Sequence, residues 1–136
     1  MTGFAYTIFC DDVRQEINNK QSFIGTYGQD IVVPDKEQFT LLKFFIVLNY
    51  CVTKGVPFKE IEFVVELPDQ DDIRLRADDV NIVPDDNTSR LRFSAVFGVN
   101  NLVVKPGTRI MTYVLVDGVK VEGDKIHIKS SGDLPQ

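Results

Sequence analysis

The amino-acid sequence predicts an all-β fold, an antiparallel two-sheet sandwich of about eight strands, immunoglobulin-like or C2-like in kind. Three observations carry this. Apolar residues recur at alternate positions, as in residues 59–67 and 90–97, which is the pattern of half-buried strands rather than helices. Turn-forming residues divide these runs at spacings of about ten residues, the rhythm of a sandwich. No segment repeats another, which sets aside propellers and solenoids. At 136 residues the chain has the length of one domain, assigned to 1–129, with a tail at 130–136 expected to fray.

The first strand places Phe4, Tyr6, Ile8 and Cys10 on one side, whereas Val13 and Ile17 have the opposite parity. The inward phase therefore changes near Asp11 and Asp12, which predicts a bulge or a change of sheet. Asn18 and Asn19 then separate two strand-like runs, and Asn tolerates the left-handed backbone that both central residues of a type I′ turn require. A two-residue turn pairs Ile17 with Lys20, Gln15 with Ser22, Arg14 with Phe23, Val13 with Ile24 and Asp12 with Gly25. In that register Asp12, Arg14 and Glu16 share a face with Phe23, Gly25 and Tyr27. Asp11, Asp12, Arg14 and Glu16 form the candidate charge cluster. If the face is covered, the cluster is structural, with Arg14 reaching both neighbouring carboxylates and lying over an aromatic ring; if it is open, the cluster is an interaction surface.

Residues 31–33 extend the apolar pattern as far as Pro34, and 34–37 form a polar connection. Asp35 and Gln38 mimic a capping box before the apolar run at 39–47, but its aromatic and β-branched content, continuing through 49–53, predicts a long central strand. A turn at 54–57 leads to a strand at 59–67, a loop at 68–72 and a short strand at 73–77. An acidic loop at 78–89, punctuated by Pro84, precedes the strand at 90–97. Residues 98–107 read as a connection with a short apolar insert at 102–104. Asp117-Gly118 between 109–116 and 119–121 is a strong hairpin signal, and Gly123-Asp124 reads as a break before a last strand at 125–129.

The run Phe9-Cys10-Asp11-Asp12-Val13-Arg14-Gln15-Glu16, a short polar turn and Phe23-Ile24-Gly25-Thr26-Tyr27-Gly28 resemble the opening of a family of small uncharacterised bacterial proteins, a domain of unknown function. Pro57-Phe58, Glu66-Leu67-Pro68, Pro106-Gly107 and Val116-Asp117-Gly118 extend the resemblance along nearly the whole chain. It implies a bacterial origin and a compact β fold, and it transfers no catalytic residue. Asn18-Asn19 stands where that family is expected to carry a Gly-containing turn, and Asn meets the same backbone need.

Charge and composition narrow the function. The net charge is −5 and basic residues are scattered, so no electrostatic footprint for duplex nucleic acid is present. The most apolar run, 39–52, is interrupted by Lys43 and Asn49 and is shorter than the roughly 20 residues needed to cross a bilayer, which argues against membrane insertion. The opening residues carry no positive region ahead of an apolar stretch, so a cytoplasmic location is expected. In that compartment Cys10 and Cys51 are expected to be free, buried thiols.

His127, the single histidine, alternates with Ile126 and Ile128 and offers no nucleophile a base; two cysteines and one histidine on separate strands give no zinc spacing; and no glycine-rich loop precedes a helix. No catalytic residue, cofactor site or metal site is therefore assigned. Asp69, Asp71, Asp72, Asp78, Asp79, Asp85 and Asp86 lie in loops and are hard oxygen ligands of the sort a calcium-binding C2-like domain would use. With antiparallel neighbours the loop 78–89 emerges at one end with Asp117 and Asp124, the better metal candidate, and 68–72 at the other, although Asp is also an ordinary turn residue. The expectation is a non-enzymatic interaction module that binds a protein partner through loops or the N-terminal hairpin, with calcium binding as the alternative and a carboxylate-based hydrolase a distant third.

Overall fold

The computed structural model describes residues 3–53, 58–78 and 90–133. These form β1 (Gly3–Gln15), β2 (Gln21–Thr26), β3 (Asp30–Val33), β4 (Phe39–Thr53), β5 (Ile61–Glu66), β6 (Ile73–Ala77), β7 (Arg90–Val104), β8 (Arg109–Val116) and β9 (Val119–Ser130). One sheet has the order β2-β1-β4-β7 and the other β3-β9-β8-β5-β6. The all-β, two-sheet class is thus the observed one, with nine strands among the described residues. The β3–β9 pairing departs from a purely antiparallel scheme: the two strands run parallel, with Ile31 opposite Ile128. Only three residues, 27–29, separate β3 from β2, so the chain passes to the other sheet instead of turning back.

Strand β4 covers the whole of the predicted central strand, and the capping-box reading of Asp35 and Gln38 fails because the aromatic and β-branched run is extended. Two predicted breaks are strand interior. Strand β7 continues through Gly98 and Asn101: its buried positions are odd at Ala95 and Phe97, then even at Leu102 and Val104, and left-handed Asn101 (φ 56) takes up the extra residue. Strand β9 likewise continues through Gly123-Asp124, switching from buried Val121 to buried Ile126 and Ile128. Local chemistry that reads as a turn here marks a phase shift inside a long strand.

The described residues of Met1–Thr7, Leu48–Ala95 and Met111–Asp124 form one compact unit, and those of Ile8–Val47, Val96–Ile110 and Lys125–Gln136 form a second. In the first, β5 pairs with both β6 and β8, so that Phe63 lies between Leu75 and Val114. Buried Phe58 meets Tyr50 and Phe93 edge-on, with ring centroids 6.0 and 5.2 Å away. The Thr7 and Thr112 hydroxyls are 2.7 Å apart, and Thr112 also donates to the Asp124 carbonyl at 2.6 Å. A Cβ at Gly123 would sit within 3.0 Å of both hydroxyl oxygens, which is why glycine occupies a strand interior there. Asp117 (φ 48) and Gly118 (φ 82) make the left-handed turn that their sequence predicts.

In the second unit, Phe44 is fully buried and meets Phe9 at 6.1 Å and Tyr27 at 5.7 Å. The Phe45 ring covers Gly98, where a Cβ would come within 2.9 Å of it. Ser130 pairs with Val33 and donates to Asp35 at 3.1 Å, so regular structure passes the expected fraying point at residue 129 and reaches Asp133. Cys10 and Cys51 are free, but Cys51 is half-buried rather than buried. Among the described residues, every buried side-chain polar atom has a hydrogen-bond partner. The predicted turn at 54–57 and the acidic stretch 79–89 lie outside the described residues.

Candidate functional site

The Glu16 amide donates to the Lys20 carbonyl at 2.7 Å, so the N-terminal hairpin closes over three residues, Ile17–Asn19, instead of two. Asn18 (φ 63) and Asn19 (φ 58) take the left-handed backbone as predicted; Ile17 is the additional residue. The register consequently slips by one. Asp12 pairs with Ile24, Val13 with Phe23, Arg14 with Ser22 and Gln15 with Gln21. Because side chains alternate, this slip exchanges the faces of β2 relative to β1 and separates Asp12, Arg14 and Glu16 from Phe23, Gly25 and Tyr27, while Asp11 stands on the opposite face of β1 by its parity.

On the odd-numbered face, the Tyr27 hydroxyl donates to Asp11 Oδ1 at 2.6 Å. Gly25, with φ 66, makes room for this pair, since a Cβ there would overlap the Asp11 carboxylate. Burial, then the bond to Asp11 and its charge, push the Tyr27 phenol up to about 12. Burial also raises the Cys10 thiol, with the Asp11 and Asp12 charges acting in the same direction.

On the even-numbered face, Asp12 Oδ1 accepts from Lys43 Nζ at 2.9 Å and from the Val13 amide at 2.9 Å. Arg14 Nε is farther away, 3.6 Å from Asp12 Oδ2. The Lys43 bond is the main reason the Asp12 carboxyl lies below its usual range, with smaller help from Arg14. Glu16 accepts from the Ser22 hydroxyl at 3.2 Å. The Arg14 side chain is 66% exposed, does not bridge Asp12 and Glu16, and lies over no ring among the described residues. The reason is the register: Ser22, rather than Phe23, stands opposite Arg14, while Lys43 from β4 occupies Asp12 and lies 5.4 Å from the Phe45 ring centroid.

Lys43, Ser22 and Ile24 complete this face, exposed Leu42 adjoins Lys43 along β4, and none of them belongs to the predicted cluster. Their signal was faint: Lys43 interrupts an apolar run, and the structure exposes Leu42 and Lys43 consecutively between buried Leu41 and Phe44. Ile17 at the turn is 83% exposed, Leu42 75% and Ile24 41%.

Four of the described candidate carboxylates are engaged elsewhere. Asp117 Oδ1 accepts the Lys59 and Glu60 amides at 3.0 and 2.9 Å, and Asp124 Oδ2 accepts the Thr7 amide at 2.7 Å. Asp72 pairs with Arg74, and Asp78 with Arg76. Asp124 stands inside β9, so it does not share a turn with Asp117. No group of three or more His, Cys, Asp or Glu residues arranged to hold a metal occurs among the described residues; Asp79, Asp85 and Asp86 lie outside them. No helix among the described residues is long and apolar enough to cross a membrane. No protein-family model matches the chain, and no curated protein matches it either.

Proposed function

We propose that the protein is a non-enzymatic, cytoplasmic interaction module that binds a protein partner through the even-numbered face and turn of its N-terminal hairpin. The supporting observation is the exposure of three large aliphatic side chains around a charged cluster. Ile17 projects from the turn, Ile24 stands opposite Asp12, and Leu42 is next to Lys43, the ion-pair partner of Asp12. Apolar anchors with a polar rim are the anatomy of a recognition surface. The two free thiols fit a reducing compartment. The resemblance of residues 9–28 to a bacterial family falls on this same hairpin and favours a bacterial origin.

Affinity capture from the native host tests the proposal, comparing the wild type with an Ile17→Asp/Leu42→Asp variant of matched melting temperature. Loss of the same bound protein from the variant is the expected outcome. Its undiminished retention overturns the assignment.

A further inference from the structure

Strand β2 is an edge strand of its sheet, which gives the proposed surface a row of backbone groups as well as side chains. The Glu16 amide bonds the Lys20 carbonyl, so by antiparallel alternation Lys20, Ser22 and Ile24 turn their backbone groups toward β1, while Gln21 and Phe23 turn theirs outward. Edge strands are ordinarily blunted by lysine, proline or a bulge. Residues 21–24 carry no charge and no proline, and the left-handed break comes only at Gly25.

The side chains beside this edge define the charge of what it accepts. Among the described residues Arg14 has a single long contact, to Asp12, whose nearer bonds go to Lys43 and the Val13 amide, so with respect to them its guanidinium fork is open to a bidentate carboxylate. Ser22 opposite Arg14 is small and leaves the way to the edge clear. A strand added outside β2 lies about 10 Å from β1, a gap that an arginine and a glutamate side chain span together. By alternation this face carries Arg14, Lys20 and Lys43 against Asp12 and Glu16, a surplus of one positive charge on a chain of net −5. Ile24, 41% exposed, supplies an apolar contact in the same row.

Resting on the preceding reading of the hairpin as the binding surface, we infer that the partner presents an extended acidic segment, carboxylates alternating with aliphatic side chains, which adds as a strand along β2. Edge pairing supplies main-chain hydrogen bonds, and Arg14 selects acid over base.

The probe is a blocked octapeptide of alternating glutamate and valine, titrated into the full chain and followed by amide chemical shifts; the same peptide with lysine for glutamate is the control. The glutamate peptide is expected to move the Gln21, Ser22 and Phe23 amides and to bind at least tenfold more tightly than the lysine peptide. Arg14→Glu is expected to weaken it at least tenfold, whereas Arg109→Glu, the same charge change off the hairpin, leaves it unaltered. Gln21→Pro, which removes an outward donor without a bond to β1, is expected to weaken both peptides. Equal affinity for the two peptides, or shifts elsewhere with the hairpin silent, overturns the acidic-strand inference. If the captured partner still depends on Ile17 and Leu42 while the glutamate peptide fails, this inference falls and the interaction surface stands.

Discussion

Replacing Gly25 by alanine tests the geometry on which the hairpin reading depends. Gly25 has φ 66, and its missing Cβ is what lets the Asp11 carboxylate receive the Tyr27 hydroxyl at 2.6 Å. Holding alanine in the left-handed region costs about 1 kcal/mol. Displacing Asp11 removes a charged hydrogen bond, which at this half-exposed position adds about 1 kcal/mol. The expected total of about 2 kcal/mol corresponds to a fall of roughly 8 °C in Tm for a chain of this size. Urea denaturation of Gly25→Ala, Asp11→Ala and the double variant separates the two contributions. In the Asp11→Ala background the glycine substitution is expected to cost only the backbone part, about half the total. An equal cost in both backgrounds, or a cost below about 0.5 kcal/mol in the wild type, refutes the contact.

Arg14→Ala is expected to leave the denaturation midpoint unchanged, since its one ion-pair contact is long and solvent-exposed; a clear drop contradicts the open face. The Tyr27 phenol, raised from 10.0 to about 12, contributes stability that is complete below pH 10 and declines as pH climbs toward 12, because the unfolded chain releases that proton first. Absorbance titration is expected to show two phenols ionising late, Tyr27 and the buried Tyr50, of which Tyr27→Phe removes one; an unchanged late amplitude in that variant refutes the assignment. Lys43→Met is expected to return the Asp12 carboxyl toward its ordinary 3.8, read by carboxyl NMR, while Arg14→Ala moves it less; the reverse order contradicts the pairing. Millimolar calcium is expected to leave Tm unaltered, since Asp117 and Asp124 already accept backbone amides, and a rise reversed by chelator revives the metal reading.

The period-two pattern made most strands legible, and β6 falls on its predicted residues because Ile73 to Ala77 is bounded by unambiguous loop chemistry. Asp117-Gly118 was equally readable, as both turn positions demand a left-handed backbone. What local chemistry did not separate was a turn from a bulge. Asn101 and Gly123 use turn-type residues to shift phase within a strand, and only the approach of Thr7 and Thr112 to Gly123 tells the cases apart. The same ambiguity cost the hairpin its register, since Asn18-Asn19 fits a two-residue turn as well as the last two positions of a three-residue one. The pairing of Asp12 with Lys43 depends on which strand lies beside β1, and nothing in the first 28 residues encodes that.

Hydrogen exchange of the backbone amides, with and without the captured partner, tests the central claim most directly. Gln21 and Phe23 are expected to exchange rapidly in the free protein and to gain protection in the complex, together with residues 12–24 and 42–43. Protection confined to β6, β8 or β9, with the hairpin amides unaltered, would place the binding surface elsewhere.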